Sequence, residues 1–297
     1  MDHIVVTRVP PGDAVHQLSE QFSTWVWDED RAFPGGALVE RIGHADGLYC
    51  MLTDPIDEDL LDLAPGLRVV SSMAVGVDNI DLEACRRRGI AVGHTPDVLT
   101  DSTADLAWAI LMAASRRIPE GIATVATGEW GPWQPAFQLS LDVSGSTLGI
   151  IGMGRIGQAI TRRAEGFAMD VVYTSRSAVD GVTARRVDLA TLLSLSDHVV
   201  VAVPLTAETR HLIGAAELAA MKQSANLVNV ARGPVVDSAA LYDALTTGQI
   251  RCAALDVTDP EPLPADHPLV GLPNCLIVPH IGSATLRTRI AMADLAA

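Results

Sequence analysis

The chain has 297 residues, 48% hydrophobic and 19% charged, with a formal net charge of −15 at neutral pH. That length supports a large core and tends to divide into two domains, and the composition excludes a disordered or low-complexity chain. The negative charge, with no Lys/Arg-rich segment to override it locally, excludes nucleic acid and anionic membrane surfaces as partners.

The opening MDHIVVTRVP has no charged region followed by a long apolar stretch, and nowhere do roughly 18 uncharged apolar residues follow one another. A cytoplasmic location is expected. Over the first hundred residues the apolar runs IVV, GLYCML and LRVVSSM alternate with the helical stretches DEDLLDLA and NIDLEACRRRG, which is β/α alternation. DVLTDSTADLAWAILMAASRRI then offers Asp101 or Ser102 as an N-cap and an apolar face of about four turns, predicting one long helix that ends at Pro119. Residues 128 to 137, GEWGPWQPAF, set two of the five tryptophans among prolines and glycines and predict a packed loop. Aromatics in such a loop either cap a core or meet a partner surface.

From Thr147 the alternation resumes with TLGII, VVYTS, HVVVAV, LVNVA, CAALDV and CLIVPH. Short, β-branched runs bounded by turn signals read as strands buried on both faces of a parallel sheet. The fold class is therefore α/β with two doubly wound parallel-sheet domains. The end, ATLRTRIAMADLAA, has helical periodicity without a cap or stop signal. The four cysteines at 50, 85, 252 and 275 form no C-x-x-C pair and have no His at a zinc-ligand interval, so they read as buried thiols with no metal.

LGIIGMGRIGQAI places Gly152, Gly154 and Gly157 directly after a strand and at the head of a helix. In a dinucleotide-binding turn the first glycine permits the tight bend, the second lets the backbone approach a pyrophosphate, and the third allows close helix-to-strand packing. A lone G-x-G-x-x-G can be a structural turn, but here the strand-turn-helix context is present. The following strand then ends at Ser175 and Arg176 without a carboxylate. An acid there would bind the ribose 2′-OH and repel a 2′-phosphate, since two charges about 4 Å apart cost roughly 4 kcal/mol at an effective dielectric near 20. Ser175 removes that penalty and Arg176 adds an attractive charge, so NADP(H) is the expected cofactor, with NAD(H) the alternative if Arg176 only stacks on adenine.

In an open parallel sheet the ligand lies beyond the carboxyl ends of the strands. Arg232 follows LVNVA, Glu261 lies in the Pro-rich loop after CAALDV, and His280 follows CLIVP. Each alone has a bland explanation: a surface Arg, a solvated acid, a satisfied core His. Together they make a chemical set. An Arg can hold a carboxylate or carbonyl by charge-assisted hydrogen bonds, a His can hand a proton to a developing alkoxide, and a neighbouring Glu would orient the His and raise its pKa. That constellation suits carbonyl reduction by hydride transfer.

VGVDNID (75 to 81), LTDSTADLAWAILMAASRR, GIIGMGRIGQAI, NVARGPVVD (229 to 237), ALDVTDPEPLP (254 to 264) and PHIGSAT (279 to 285) resemble, in order, the D-isomer-specific 2-hydroxyacid dehydrogenases. Within that family GEWGPWQP, RRAEGFAMDVVYTSR and the Ser175–Arg176 strand end are most similar to glyoxylate/hydroxypyruvate reductases. The resemblance implies a flavodoxin-like substrate-binding domain, 1–98 with 284–297, and a Rossmann dinucleotide-binding domain, 99–283. It makes Arg232 the substrate clamp, His280 the acid in reduction and base in oxidation, and Glu261 its partner. The backbone at Val75 and Gly76 is implied to bind the substrate carboxylate, with Leu52 bordering the pocket. Thr103, Arg155 and Ile156 are implied at the pyrophosphate, Val203 and Pro204 at the adenosine side, and Asp256 at the nicotinamide amide. Trp133 matches a residue that reaches the partner subunit's site in similar reductases, so a homodimer is expected.

The resemblance implies reduction of a short 2-oxoacid, glyoxylate or hydroxypyruvate, to the 2-hydroxyacid, in the D form where chiral. Alternatives are a D-lactate or phosphoglycerate type of dehydrogenase, or a nicotinamide-sensing corepressor-like protein. Two departures stand out. Chains of this family normally continue past the final helix to pack on the first domain, which leaves the closure of that domain open here, and the strand-end acid of NAD-preferring members is absent.

Overall fold

The structure, a computed structural model, describes residues 1–29 and 35–297. The chain divides into two units, Met1–Leu99 with Ser283–Ala297, and Thr100–Gly282.

The first unit contains β1 (His3–Val6), α1 (Ala14–Gln21), β2 (Ser23–Val26), α2 (Gly35–Ile42), β3 (Gly47–Cys50), α3 (Glu58–Asp62), β4 (Val69–Ser72), α4 (Leu82–Arg88) and β5 (Ala91–Gly93). Its five strands are parallel in the order β2-β1-β3-β4-β5. This is the flavodoxin-like arrangement, whose order reverses between β1 and β3. Strands β2 and β5 have no counterpart among the predicted runs: STWV and AVG are too short and too polar or glycine-rich to register as apolar runs. The core joins Val5, Leu48 and Val70 from the strands to Ile42, Leu61 and Ala84 from the helices.

The second unit begins with α5 (Thr100–Ser115) and α6 (Ile118–Ala126). Here two expectations are corrected. Neither Asp101 nor Ser102 is the N-cap, because the helix already starts at Thr100. Nor does one helix run to Pro119: Arg117 adopts φ 54°, a left-handed conformation that breaks the helix, and Pro119 lies in the first turn of the next one. Proline is well suited to that position, where its missing N–H is not needed.

There follow β6 (Thr147–Ile151), α7 (Arg155–Ala164), β7 (Asp170–Thr174), β8 (Arg185–Arg186), α8 (Leu189–Leu195), β9 (His198–Val201), α9 (Ala215–Ala220), β10 (Asn226–Asn229), α10 (Ser238–Thr246), β11 (Cys252–Leu255) and β12 (Cys275–Ile277). The seven parallel strands are ordered β12-β11-β10-β9-β6-β7-β8. Strands β9, β10 and β11 are buried along their whole length, because cores on both faces of the sheet cover them. The order reverses between β6 and β9, the crevice in which a dinucleotide lies in a Rossmann sheet.

The loop 128–137 is not packed: Trp130 is 73% exposed and Trp133 86%. Of the two roles open to its aromatics, capping this chain's own core is thus excluded. The last helix, α11 (Leu286–Ala296), belongs to the first unit. Contrary to the expectation of an uncapped end, Thr285 caps it by accepting the N–H of Thr288. It does not dangle either. Its Met292 and Ala293 are buried, and its carbonyls at Ala293 and Ala296 accept hydrogen bonds from the Tyr49 and Ser71 hydroxyls.

Among the described residues no helix is long and apolar enough to cross a membrane. Cys50, Cys85 and Cys252 are buried free thiols and Cys275 is partly buried. No cluster of His, Cys, Asp and Glu that could hold a metal occurs among the described residues.

Candidate active site

In the second unit, Arg232, Glu261 and His280 follow the carboxyl ends of the adjacent strands β10, β11 and β12. Close approach of the intervening loops depends on Gly233. A Cβ built there would lie 1.8 Å from the Thr258 carbonyl oxygen, so no larger residue fits. Asn229, the buried amide that ends β10, accepts the N–H of Ala231 and donates to the Arg232 carbonyl at 2.9 Å. It folds the strand end back on itself and fixes where Arg232 begins. The Arg232 guanidinium donates to the Ala231 carbonyl at 2.8 Å.

His280 donates from Nδ1 to Oε1 of Glu261 at 2.5 Å. A carboxylate can only accept, so Nδ1 carries the proton and Nε2 is the ring nitrogen that faces other chemistry. The second oxygen of Glu261 accepts the N–H of Thr258 at 3.3 Å. Burial alone would raise the Glu261 carboxyl, but the hydrogen bond and charge of His280, the Thr258 N–H and the charge of Arg232 outweigh it and hold the group below its ordinary value. The acid is thus kept ionised beside the imidazole and within electrostatic reach of Arg232.

His280 has φ 50°, uncommon for a residue with a side chain. The surrounding hydrogen bonds account for it. Its N–H donates to the carbonyls of Asp256 and Val278, and the two oxygens of Asp256 accept the N–H groups of Ile281 and Gly282 at 2.6 and 3.0 Å. Asp256 is only 3% exposed. Burial pushes its carboxyl above the ordinary range against the opposing pull of the Ile281 N–H and the His280 charge. In this structure Asp256 therefore anchors the segment that presents His280. Ser102, near the start of α5, donates to the Gly282 carbonyl at 2.6 Å, and Thr103 packs against Gly282. The sequence offers Ser102 only as an N-cap, and Asn229 and Gly233 only within the stretch NVARGPVVD; the bonds by which Ser102 and Asn229 hold the site, and the close approach at Gly233, emerge from the structure.

The glycine turn fits a dinucleotide. Gly152 has φ 103°, and a Cβ on it would meet the Ala202 carbonyl at 2.6 Å and the Val203 side chain at 2.8 Å. A Cβ on Gly157 would lie 2.1 Å from the Gly152 carbonyl oxygen, whereas one on Gly154 meets nothing within 4 Å. Two glycines are thus demanded by packing, and the third borders open space at the N-terminus of α7. No side chain caps that helix, so the backbone N–H groups at Arg155 and Ile156 offer donors to a phosphate. Val203 and Pro204 follow β9 across the same crevice, and Pro204 accepts the Thr209 hydroxyl at 2.7 Å. Ser175 and Arg176 follow β7. The Ser175 hydroxyl donates to the Ser177 carbonyl at 2.6 Å.

In the first unit, Leu52 follows β3, and Val75 and Gly76 follow β4. Asn79 joins the two loops by donating to the carbonyls of Met51 and Asp54 at 3.2 and 2.7 Å, while Asp54 accepts the Met51 N–H and the Thr7 hydroxyl. The Val75 carbonyl accepts from His94 at 3.0 Å. All three candidate residues are partly exposed.

The family model described as the NAD binding domain of D-isomer specific 2-hydroxyacid dehydrogenase matches residues 108–282. The glyoxylate reductase of Thermococcus gammatolerans is 47% identical over 302 aligned residues, covering 99% of this chain and 90% of that protein. Among solved structures, the TT0316 protein from Thermus thermophilus superposes with a TM-score of 0.93 at 47% identity, over 99% of this chain and 94% of that one. An NADPH-dependent glyoxylate/hydroxypyruvate reductase from Sinorhizobium meliloti, in complex with NADP and malonate, has a TM-score of 0.86 at 33% identity, over 99% and 91%.

Proposed function

Because the chain belongs to the D-isomer-specific 2-hydroxyacid dehydrogenase family, an oxidoreductase family, we propose that it reduces glyoxylate and hydroxypyruvate to the 2-hydroxyacids with NADPH as the preferred cofactor. The observation that carries this reading is the His280–Glu261 hydrogen bond at adjacent strand ends, with Arg232 in electrostatic reach. When bound, the dinucleotide supplies the hydride. The chain's own residues supply the rest. Arg232 holds the substrate's carboxylate and carbonyl oxygen by charge-assisted hydrogen bonds worth about 1.5–3 kcal/mol each. His280, as the imidazolium, delivers the proton from Nε2 to the oxygen as negative charge develops there, and Glu261, accepting from Nδ1–H, orients the ring and balances its charge. Arg232 also explains how an anion is bound by a protein of net charge −15, since distant charges are screened over about 10 Å.

The same reading gives the backbone at Val75 and Gly76 the carboxylate and Leu52 the edge of the pocket. Thr103, Arg155 and Ile156 serve the pyrophosphate, Val203 and Pro204 the adenosine, and Asp256 the nicotinamide amide in addition to its anchoring bonds. Preference for NADPH is supported by a β7 strand end that has Ser175 and Arg176 where an acid would repel a 2′-phosphate. The S. meliloti reductase, named as NADPH-dependent, is a relative consistent with it. A homodimer is supported by the apolar residues exposed on α6 and the following loop, Ile122, Val125, Trp130 and Trp133 among them. Such a patch marks a protein contact, with Trp133 reaching the partner's site.

Steady-state kinetics with glyoxylate and hydroxypyruvate, NADPH against NADH at matched concentrations, test the proposal. A kcat/KM ratio of about tenfold or more toward NADPH, roughly 1.4 kcal/mol, is expected. Preference for NADH overturns the cofactor assignment, and absence of turnover on both oxoacids overturns the substrate assignment.

A further inference from the structure

The turn between β7 and β8 carries a cation outside the set assigned above. Arg186, in the two-residue strand β8, pairs with Tyr173 of β7, and Val187 extends the ladder by donating to the Tyr173 carbonyl at 2.9 Å. This register places the Arg186 guanidinium over the strand end. Its Nη2 donates to the carbonyl of Ser175 at 2.9 Å and to that of Arg176 at 3.0 Å. Two further bonds close the same turn: the Ser175 hydroxyl to the Ser177 carbonyl, and the Val179 N–H to the Tyr173 hydroxyl at 3.0 Å. The chain's own hydrogen bonds therefore define the shape of the turn.

The chemistry of the turn points to a phosphate ester. Free carbonyls at Ser175 and Arg176 would present two acceptors, and hence negative partial charge, toward a group bound beyond β7. One nitrogen of Arg186 satisfies both. A guanidinium has five N–H donors, so three remain, together with its full charge, beside Arg176. A second cation matters here because Arg176 is not alone. Glu208, on the loop after β9, is held below its ordinary value first by the Thr206 hydroxyl and also by the charge of Arg176. A carboxylate within reach of Arg176 offsets part of its attraction for an anion, and Arg186 restores the positive sign. Both Arg186 contacts are exposed, so their value is geometry and charge and little stability.

From this geometry we propose that Arg186 is the second cation of a phosphomonoester subsite at the end of β7, and that it positions Arg176 there to take the 2′-phosphate of the dinucleotide. The inference rests on the NADPH reading above and deepens it.

Calorimetric titration with adenosine 2′,5′-bisphosphate and with 5′-AMP tests it, on the wild-type protein, Arg186→Gln, Arg186→Lys and Arg176→Gln, with Tm recorded for each. The wild type is expected to favour the bisphosphate by about tenfold or more. Arg186→Gln should reduce that ratio about tenfold with AMP affinity altered less than about twofold. Arg186→Lys, which retains the charge but lacks the guanidinium fork, should recover only part of it. A wild type with no preference for the bisphosphate overturns the cofactor reading and the two-cation subsite with it. A wild-type preference that survives Arg186→Gln but not Arg176→Gln overturns the role of Arg186 alone. Equal losses for both ligands in the Arg186 variants also overturn it, by assigning Arg186 to the scaffold.

Discussion

His280 and Glu261, 19 residues apart in the chain, share a hydrogen bond of 2.5 Å from Nδ1 to Oε1. It exists because β11 and β12 are neighbours in the sheet and the carboxyl ends of both turn toward the same side. Glu261→Gln keeps the shape but exchanges a charged acceptor for an amide. Turnover should fall by about one to two decades, with a smaller change in KM, because imidazolium formation loses its counter-charge. Wild-type turnover in this variant would make the contact structural only.

The same carboxyl gives a stability signature with a defined sign. Its folded value lies below the ordinary 4.5, so its contribution is fully present above that value and is lost as pH falls through the folded one. Thermal melts across the acid range should show a steeper decline for the wild type than for Glu261→Gln below about pH 4.5. Parallel curves would contradict the assignment. The side chain is 33% exposed, so the difference should be modest.

His280→Ala removes the proposed proton donor and leaves the glycine turn untouched. Loss of about two to four decades in kcat is expected, with NADPH affinity measured by fluorescence nearly intact. Undiminished turnover would take His280 out of the mechanism.

The glycines separate packing from binding. Gly157→Ala forces a methyl to 2.1 Å from the Gly152 carbonyl oxygen, and a Tm loss corresponding to about 1–3 kcal/mol is expected, from overpacking. Gly154→Ala meets nothing within 4 Å, so its Tm should remain close to wild type while dinucleotide affinity falls, since the methyl occupies the space a pyrophosphate needs. Equal Tm losses in the two variants would refute this division.

Ser175→Asp places an acid at the end of β7. Selectivity should move toward NADH by about tenfold or more, from repulsion of the 2′-phosphate. Unchanged selectivity would mean that the strand end does not read the ribose. Separately, on the proposed homodimer, Ile122→Asp with Val125→Asp should give a monomer in sedimentation velocity where the wild type gives a dimer, because two charges on the exposed face of α6 would oppose its burial between subunits; a wild-type monomer would overturn the dimer proposal.

The two doubly wound sheets were legible from the chain because a parallel strand buried on both faces must be a short, continuous apolar run, and TLGII, HVVV and CAAL are such runs. The glycine turn was legible for a local reason too: its φ 103° and its contacts exclude side chains at Gly152 and Gly157. Arg232, Glu261 and His280 stood out as polar residues following apolar runs. Strands STWV, AVG and RR left no such mark, since edge or short strands draw their stability from pairing and carry no hydrophobic pattern of their own. The break at Arg117 was likewise decided by backbone geometry that composition does not encode.

What the sequence by itself determined was the set of chemical groups and their places at strand ends, because periodicity and steric exclusion are local properties. Which groups touch was decided only by tertiary structure. The pairing of His280 with Glu261, the anchoring of His280 by Asp256 and the span of Arg186 across two carbonyls all cross between strands. They depend on sheet order and register, which bring distant residues within hydrogen-bond range only once the core has packed.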